Sequence, residues 1–211
     1  MNNPWEEIPL SDYENHMSFE TVGQLQCLNS MMKAQFNKYP FSSVMILGAA
    51  GGNGLEHIDP DKFQNVYAVD INPHYLEQCK ARHAALNGIL ECICLDLTDS
   101  NITLPRCELV TADLLIEYIG LTCFQRVVEK IKPICISCII QADGEKQGFV
   151  SDSPYIHVFD GLDIVHSQIG EEELKSAMKE IDYRLTERAE QVLPNGKKLV
   201  MLDFTVSDKR L

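Results

Sequence analysis

The chain has 211 residues, of which 45% are hydrophobic and 23% are charged, and it carries a net charge of −13. This size and composition predict one cytoplasmic globular domain with a sizeable core and a small appendage. The acidic balance disfavours nucleic acids and anionic membrane surfaces as partners, because proteins bind both through Lys and Arg. No apolar stretch reaches the ~20 residues that a membrane span needs, so we expect no membrane insertion.

The N-terminal residues 1–39 are predicted to be a strap and a helix that pack on the main domain. The strap, residues 1–18, is polar and is interrupted by the aromatic residues Trp5 and Tyr13. Residues 20–38 are predicted to form an amphipathic helix, because apolar residues recur there at spacings of three and four. These residues are Val22, Leu25, Leu28, Met32 and Phe36.

A glycine-rich loop follows the first strand, which is predicted from the apolar run at residues 44–47. Glycine occupies positions 48, 51, 52 and 54, and Leu55 and Ile58 then resume a helical spacing. A strand, a glycine loop and a helix start are typical of a nucleotide site at the edge of a parallel sheet. Glycine allows positive φ and lets the backbone approach a ligand, whose polar end then faces the N–H groups of the helix.

Strands and helices alternate through the rest of the chain. Apolar runs predict strands at residues 66–70, 90–95, 109–112 and 134–140, and an Asn-Gly turn at residues 195–196 predicts a closing hairpin. Helices are predicted at residues 72–88, at 114–132 with a break at Gly120, and from residue 171 onward. Residues 141–160 are irregular and long enough to be functional.

This order predicts an α/β fold in residues 40–211: a doubly wound, Rossmann-like, seven-stranded sheet, mostly parallel with a C-terminal antiparallel hairpin. The cysteines at positions 79, 92, 94, 135 and 138 fall on predicted strands or helices, so we expect small buried hydrophobic side chains and no disulfides. Cys135 and Cys138 have zinc-like spacing, but residues three apart on a strand point to opposite faces. No metal site is predicted.

Two acidic residues, Asp70 and Asp96, end the second and third predicted strands, where ligands bind in such sheets. A carboxylate is an acceptor-only group that can take hydrogen bonds from a ribose diol or an adenine amine. Dinucleotides and S-adenosylmethionine both fit this pattern. A short-chain dehydrogenase also needs Tyr-x-x-x-Lys, and none of the seven tyrosines is followed by lysine at that spacing. A P-loop is excluded because no Gly-Lys-Ser/Thr follows the loop.

Four motifs then carry a family resemblance. They are Ile-Leu-Gly-Ala-Ala-Gly-Gly-Asn-Gly at residues 46–54, Ala-Val-Asp-Ile-Asn-Pro at 68–73, Cys-Leu-Asp-Leu at 94–97 and Ala-Asp-Leu-Leu-Ile-Glu-Tyr at 112–118. In this order they resemble class I S-adenosylmethionine-dependent methyltransferases and are similar to bacterial small-molecule enzymes of the ubiquinone- and menaquinone-biosynthesis type. Many members carry an acidic residue two positions before the first glycine, where this chain has Ile46.

The resemblance implies a site for S-adenosyl-L-methionine. The residues expected against its methionine portion are Gly48, Ala49, Ala50, Gly52, Asn53 and Gly54. Those expected at the ribose and adenine are Asp70, Ile71, Asp96 and Leu97, and those along the route to the sulfonium are Ala112 and Tyr118. From the strap, Tyr13 and His16 are expected to close over the cofactor.

Methyl transfer from a sulfonium depends mainly on positioning, and a general base is needed only when the acceptor arrives protonated. His157 and Tyr155, in the irregular segment, are the candidates for such a catalytic role. The function expected is methyl transfer to a small-molecule acceptor whose identity and accepting atom the sequence leaves open, as it does the oligomeric state. A non-catalytic cofactor-binding or scaffolding subunit is the alternative, and a nicotinamide-dependent oxidoreductase is the third.

Overall fold

A seven-stranded sheet lies at the centre of the computed structural model, which describes residues 3–142 and 148–207. The strands are β1 Ser43–Leu47, β2 Asn65–Asp70, β3 Leu90–Cys94, β4 Leu109–Asp113, β5 Cys135–Ala142, β6 Tyr183–Val192 and β7 Lys198–Val206. Their order is β3-β2-β1-β4-β5-β7-β6, and only β7 runs antiparallel to its neighbours β5 and β6. This arrangement confirms the predicted fold class, including the C-terminal hairpin.

Helices cover both faces of the sheet. They are α1 Leu10–Ser18, α2 Gln24–Lys38, α3 Pro73–Arg82, α4 Ile116–Ile119, α5 Leu121–Ile131 and α6 Glu171–Glu180. One core joins the sheet to α5 and α6 through residues such as Phe124 and Leu174. A second core joins the opposite face to α2 and α3 through Phe36 and Leu76. Among the described residues, no helix is long and apolar enough to cross a membrane.

Several local predictions hold in detail. Asn72 caps α3, because its side chain accepts hydrogen bonds from the backbone of His74 and Tyr75, and Pro73 occupies the first helical turn. Gly120, with φ of +77°, separates α4 from α5. The turn between β6 and β7 closes with Gly196 at φ +84°, where only glycine is relaxed.

Other local predictions are wrong. After the glycine loop there is a single 3₁₀ turn, Leu55–His57, because Pro60 prevents a helix from continuing. Helix α3 ends at Arg82, and a 3₁₀ turn, Ala84–Leu86, follows it. Cys94 is exposed and Cys92 is half-buried, whereas both were expected to be buried, because β3 is an edge strand of the sheet.

Two segments contain more regular structure than the sequence predicts. The strap includes a 3₁₀ turn, Pro4–Glu6, and helix α1. The stretch predicted as irregular at residues 141–160 leads into a long 3₁₀ segment, Ile156–Ile164. Part of that stretch, residues 143–147, lies outside the described residues. The strap and the 3₁₀ segment pack on each other through Ile8, Phe159 and Leu162.

Candidate active site

A cavity opens at the carboxyl ends of the parallel strands, beside the point where the strand order reverses between β1 and β4. Leu47 pairs with Val69 on one side and with Ala112 on the other, so the loops after β1, β2 and β4 leave the sheet side by side. The cavity is lined by Asn3, Trp5, Tyr13, Gly48, Ala50, Asp70, Ile71, Tyr75, Leu95, Asp96, Leu97, Asp113, Leu114, Leu115, Tyr118 and Ile119.

The glycine loop reaches this cavity through Gly48 and Ala50. Its other glycines pack against protein. A Cβ at Gly51 would lie 2.6 Å from Oε1 of Glu14, and one at Gly52 would lie 2.8 Å from the sulfur of Cys79. Gly54 is the third such case, because a Cβ there would lie 2.7 Å from the sulfur of Met32. The loop is therefore glycine-rich for two reasons: Gly48, Gly52 and Gly54 have positive φ, and α1, α2 and α3 approach its backbone closely.

Asp70 fixes the loop to the sheet. One of its carboxylate oxygens accepts a hydrogen bond of 2.8 Å from the backbone N–H of Ala50, and the other accepts one of 2.9 Å from that of Asn72. Burial raises the pKa of Asp70, and the backbone hydrogen bonds oppose that rise. The side chain borders the cavity, and each oxygen keeps a lone pair for a ligand donor.

Asp113 is a further carboxylate at a strand end, one to which the sequence pattern assigns no role. Its Oδ1 accepts a hydrogen bond of 2.9 Å from Nε2 of Gln35. Its Oδ2 is buried and has no hydrogen-bond partner among the described residues. Burial raises the pKa of Asp113 to about 7, and the nearby acids Asp203 and Glu117 add to the rise. A buried acceptor of this kind is stabilised by a ligand that brings a donor or a positive charge.

Asp113 also borders a smaller adjoining cavity, together with Ala49 and Asn53 of the glycine loop. The predicted residues Gly52 and Gly54 line neither the first cavity nor this smaller one. Ala112 is fully buried in the core beneath the site.

Asp96 lines the first cavity directly beyond the end of β3. Its Oδ1 accepts hydrogen bonds of 2.8 Å from the backbone N–H and 2.7 Å from the hydroxyl of Thr98, so the side chain also closes a turn. Ile71 and Leu97 line the same cavity, which brings the acids after β2 and β3 and their apolar neighbours to one wall.

The strap covers the cavity with aromatic rings. Trp5 packs edge-on against Tyr13, with ring centroids 5.7 Å apart, and against Tyr118, at 4.9 Å. The hydroxyl of Tyr75 donates to the carbonyl of Ile8, and the amide of Asn72 donates to that of Trp5. These bonds fasten the strap to α3. An ion pair between α1 and α3, Glu14 with Arg82, adds to them.

Tyr13 and His16, predicted together, differ in the cavities they reach. Tyr13 lines the first cavity and also a second cavity that adjoins it, whereas His16 lines only the second. The candidates His157 and Tyr155 line neither of these two cavities. The side chain of His157 is 88% exposed and stands 3.6 Å from the carboxylate of Asp160. Its position on the outer side of the 3₁₀ segment separates it from the sheet edge.

Solved structures share this architecture. N-methyltransferase NodS from Bradyrhizobium japonicum, in complex with S-adenosyl-L-homocysteine, superposes with a TM-score of 0.68 at 13% identity and covers 97% of this chain and 99% of its own. The methyltransferase domain of bacterial CtHen1 superposes with a TM-score of 0.63 at 16% identity, over 87% of this chain and 97% of its own. The sequence itself matches no family model and no curated protein.

The chain has the class I methyltransferase fold. This fold also carries other chemistry, because the [4+2]-cyclase SpnF superposes with a TM-score of 0.63 at 7% identity, over 86% of this chain and 81% of its own. Within the methyltransferase fold, the residues that line the first cavity include Gly48, Ala50, Asp70, Asp96 and Asp113. The signal that singled out Asp70 and Asp96, an acid directly after an apolar strand, also marks Asp113.

Proposed function

We propose that the chain binds S-adenosyl-L-methionine in the first cavity and transfers its methyl group to a small-molecule acceptor. The observation that carries this proposal is the buried Oδ2 of Asp113, which has no hydrogen-bond partner among the described residues. It lies beside the glycine loop, and Asp113 lines the same cavity as Asp70 and Asp96. A ligand with a cationic end and a nucleoside end suits this arrangement of acids. The likeness to solved methyltransferases supports the same ligand.

The residues fit the cofactor part by part. Asp70 faces the cavity with two acceptor oxygens for the ribose hydroxyls. Ile71 and Leu97 offer apolar surfaces for the adenine ring, and Asp96 offers an acceptor for its amine. Asp113 takes the place of the acidic residue that many relatives carry where this chain has Ile46. Its carboxylate would bind the ammonium group of the methionine portion by a charge-assisted hydrogen bond.

S-adenosylmethionine supplies an activated methyl group on a sulfonium, and a nucleophile receives it while the bonding electrons stay on sulfur. The chain's own residues position the partners and exclude water. Trp5 and Tyr13 cover the cavity from the strap. We infer that no carboxylate or histidine has to act on the methyl group itself.

Calorimetric titration with S-adenosylhomocysteine tests this function, with the Asp70→Asn variant as the probe. The substitution removes one acceptor and the negative charge, and we expect affinity at least about ten-fold weaker than that of the unaltered chain. Asp61→Asn, an exposed acid away from both cavities, is the matched control and should bind normally. Thermal unfolding of the free variants separates loss of binding from loss of fold, because Asp70 also holds the loop.

The alternatives predict other results. Binding of a reduced nicotinamide dinucleotide in place of S-adenosylhomocysteine would favour an oxidoreductase. Tight cofactor binding together with no methyl transfer to any of a broad panel of amines, thiols, phenols and carboxylic acids would favour the non-catalytic subunit. Unchanged affinity in Asp70→Asn would remove this carboxylate from the cofactor site.

A further inference from the structure

A second cavity adjoins the first and shares Trp5, Tyr13, Leu114 and Tyr118 with it. Its other lining residues include His16, Glu117, Gln141, Phe149, Phe159 and His166. The cavity therefore lies between the strap, helix α4, the end of β5 and the 3₁₀ segment. The two cavities meet at the rings of Trp5, Tyr13 and Tyr118, so a ligand in the second would lie next to one in the first.

Aromatic rings form most of the wall. Phe149 stacks on the ring of His166, with centroids 3.9 Å apart and planes 16° apart. Tyr118 meets His166 at 5.5 Å and Trp5 at 4.9 Å, so these four rings form one continuous surface. His16 contacts Phe159 at 4.5 Å on another part of the wall. Aromatic faces attract cations, and they do so more strongly when water is excluded.

A carboxylate completes the wall. Glu117 is only 4% exposed, and its Oε1 accepts a hydrogen bond of 3.0 Å from the backbone N–H of Gln141. Gln141 in turn donates from its side chain to the carbonyl of Phe149, so one residue positions both the acid and an aromatic ring. The negative charge of Glu117 also contributes to the raised pKa of Asp113.

The titratable groups around the cavity determine the charge that a ligand meets. Burial lowers the pKa of His16 to about 4, and the nearby ammonium of Lys197 adds to the effect, so His16 is neutral near pH 7. Lys197 lies behind the wall, where its ammonium donates to the carbonyls of Gly148 and Phe149. Among the described residues that line the cavity itself there is no lysine and no arginine, so Glu117 is the charged side chain that a ligand would meet there.

We propose that the second cavity is the acceptor subsite and that it binds a small aliphatic amine in its ammonium form, against Glu117 and the aromatic wall. This assignment rests on the proposed function, because the cofactor would occupy the adjoining cavity. The ammonium can donate to the carboxylate of Glu117 while its alkyl groups contact Phe149 and Tyr118. Once the ammonium loses a proton to water, the nitrogen has the lone pair that a methyl acceptor needs.

Three probes with the same carbon chain test the subsite: n-butylamine, n-butanol and n-butyrate, titrated into the full chain in the presence of saturating S-adenosylhomocysteine. Ligand-observed NMR or calorimetry measures each affinity at pH 7.5. We expect n-butylamine to bind at least about ten-fold more tightly than the other two, because only the ammonium brings a positive charge to the carboxylate of Glu117. Equal affinity for butylamine and butanol, or tighter binding of butyrate, would overturn the assignment.

Two variants identify the side chains that bind n-butylamine. Glu117→Gln keeps the oxygen that accepts from Gln141 but removes the charge, and we expect a loss of at least about ten-fold in butylamine affinity. Phe149→Leu keeps the charge and removes a ring, and we expect a smaller loss. Glu129→Gln, an exposed acid on α5, is the matched control and should bind like the unaltered chain. Full butylamine affinity in Glu117→Gln would contradict the proposal.

The same samples separate the two proposals. The S-adenosylhomocysteine titration of each variant, together with its melting temperature, reports the first cavity and the fold. Normal S-adenosylhomocysteine binding without preference for the amine would overturn the acceptor assignment and leave the proposed function standing. Absence of S-adenosylhomocysteine binding in the unaltered, folded chain would contradict the proposed function, and the acceptor assignment would fail with it.

Discussion

Gln35 of α2 donates a hydrogen bond of 2.9 Å to Asp113 at the end of β4, and it thereby ties a core helix to the candidate cofactor site. The same amide lies 3.1 Å from the hydroxyl of Ser137, which donates to Asp203. Asp203 also accepts from Lys38 and Tyr39 near the surface. A buried chain of polar side chains therefore holds Asp113 in position from below, while its Oδ2 remains without a partner among the described residues.

The ionisation of Asp113 should control cofactor affinity. If its carboxylate binds the ammonium group, only the ionised form is competent, and burial raises its pKa to about 7. Affinity for S-adenosylhomocysteine should therefore rise about ten-fold between pH 6 and pH 8, following the ionised fraction. Calorimetric titration with S-adenosylhomocysteine between pH 6 and pH 8 measures this dependence. Asp113→Asn should bind more weakly at pH 8 and lose most of the pH dependence, and an unchanged pH profile in that variant would remove Asp113 from the ammonium site.

The same group should affect stability in the absence of ligand. The pKa of an unfolded aspartate is near 3.8 and that of folded Asp113 is about 7, so the folded chain binds more protons between these pH values. The contribution of Asp113 to the free energy of unfolding is thus complete below pH ~4 and is lost as pH rises through ~7. Urea unfolding at several pH values should show a flatter profile for Asp113→Asn. A steeper decline in the variant would contradict this assignment.

The glycine loop gives a prediction about packing. Gly52 has φ of +85°, and a Cβ there would lie 2.8 Å from Cys79 and from the ring of His83, so Gly52→Ala should suffer both backbone strain and a clash. Gly196 has nearly the same φ, +84°, but open space around it, so Gly196→Ala isolates the strain. We expect Gly52→Ala to lower the free energy of unfolding by about 3 kcal/mol and Gly196→Ala to lower it by about 1 kcal/mol. Equal losses, measured by urea unfolding, would show that the loop relaxes around the added methyl group.

Trp5 provides a direct optical signal, because it is the chain's single tryptophan and it lines the first and the second cavity. Ligand binding beneath its ring should change its fluorescence and protect it from quenching by acrylamide. Saturating S-adenosylhomocysteine should therefore lower the quenching constant of the unaltered chain. In Asp70→Asn the same ligand concentration should lower it less. A quenching constant that does not respond to bound ligand would place the ligand away from the strap.

Sequence periodicity predicts the order of the strands and helices that make up the fold. The apolar runs and the caps at Asn72 and Gly120 act through neighbouring residues, so they can be read locally. The acids Asp70 and Asp96 are predictable because position at a strand end is also a local property. Asp113 satisfies the same rule. Its distinguishing feature is a buried oxygen with no hydrogen-bond partner among the described residues, and this depends on packing that a sequence pattern does not contain.

The features that the sequence does not predict depend on contacts between distant segments. Glu14 of α1 lies against Gly51, a contact that loop spacing alone cannot indicate. The strap is ordered by α3, since Tyr75 donates to the backbone of Ile8. His157 looked suitable by residue type, but the 3₁₀ segment turns it toward solvent. The strap and the 3₁₀ segment are thus the least predictable parts of the chain, although they contribute to the walls of the first and second cavities.

A crystal structure with S-adenosylhomocysteine bound is the measurement that tests the central claim most directly. We predict the ribose hydroxyls on Asp70, the adenine between Ile71 and Leu97, and the ammonium nitrogen about 3 Å from Oδ2 of Asp113. The sulfur should face the junction with the second cavity, near Tyr118. A ligand bound elsewhere, or one whose ammonium group turns away from Asp113 toward solvent, would contradict the claim.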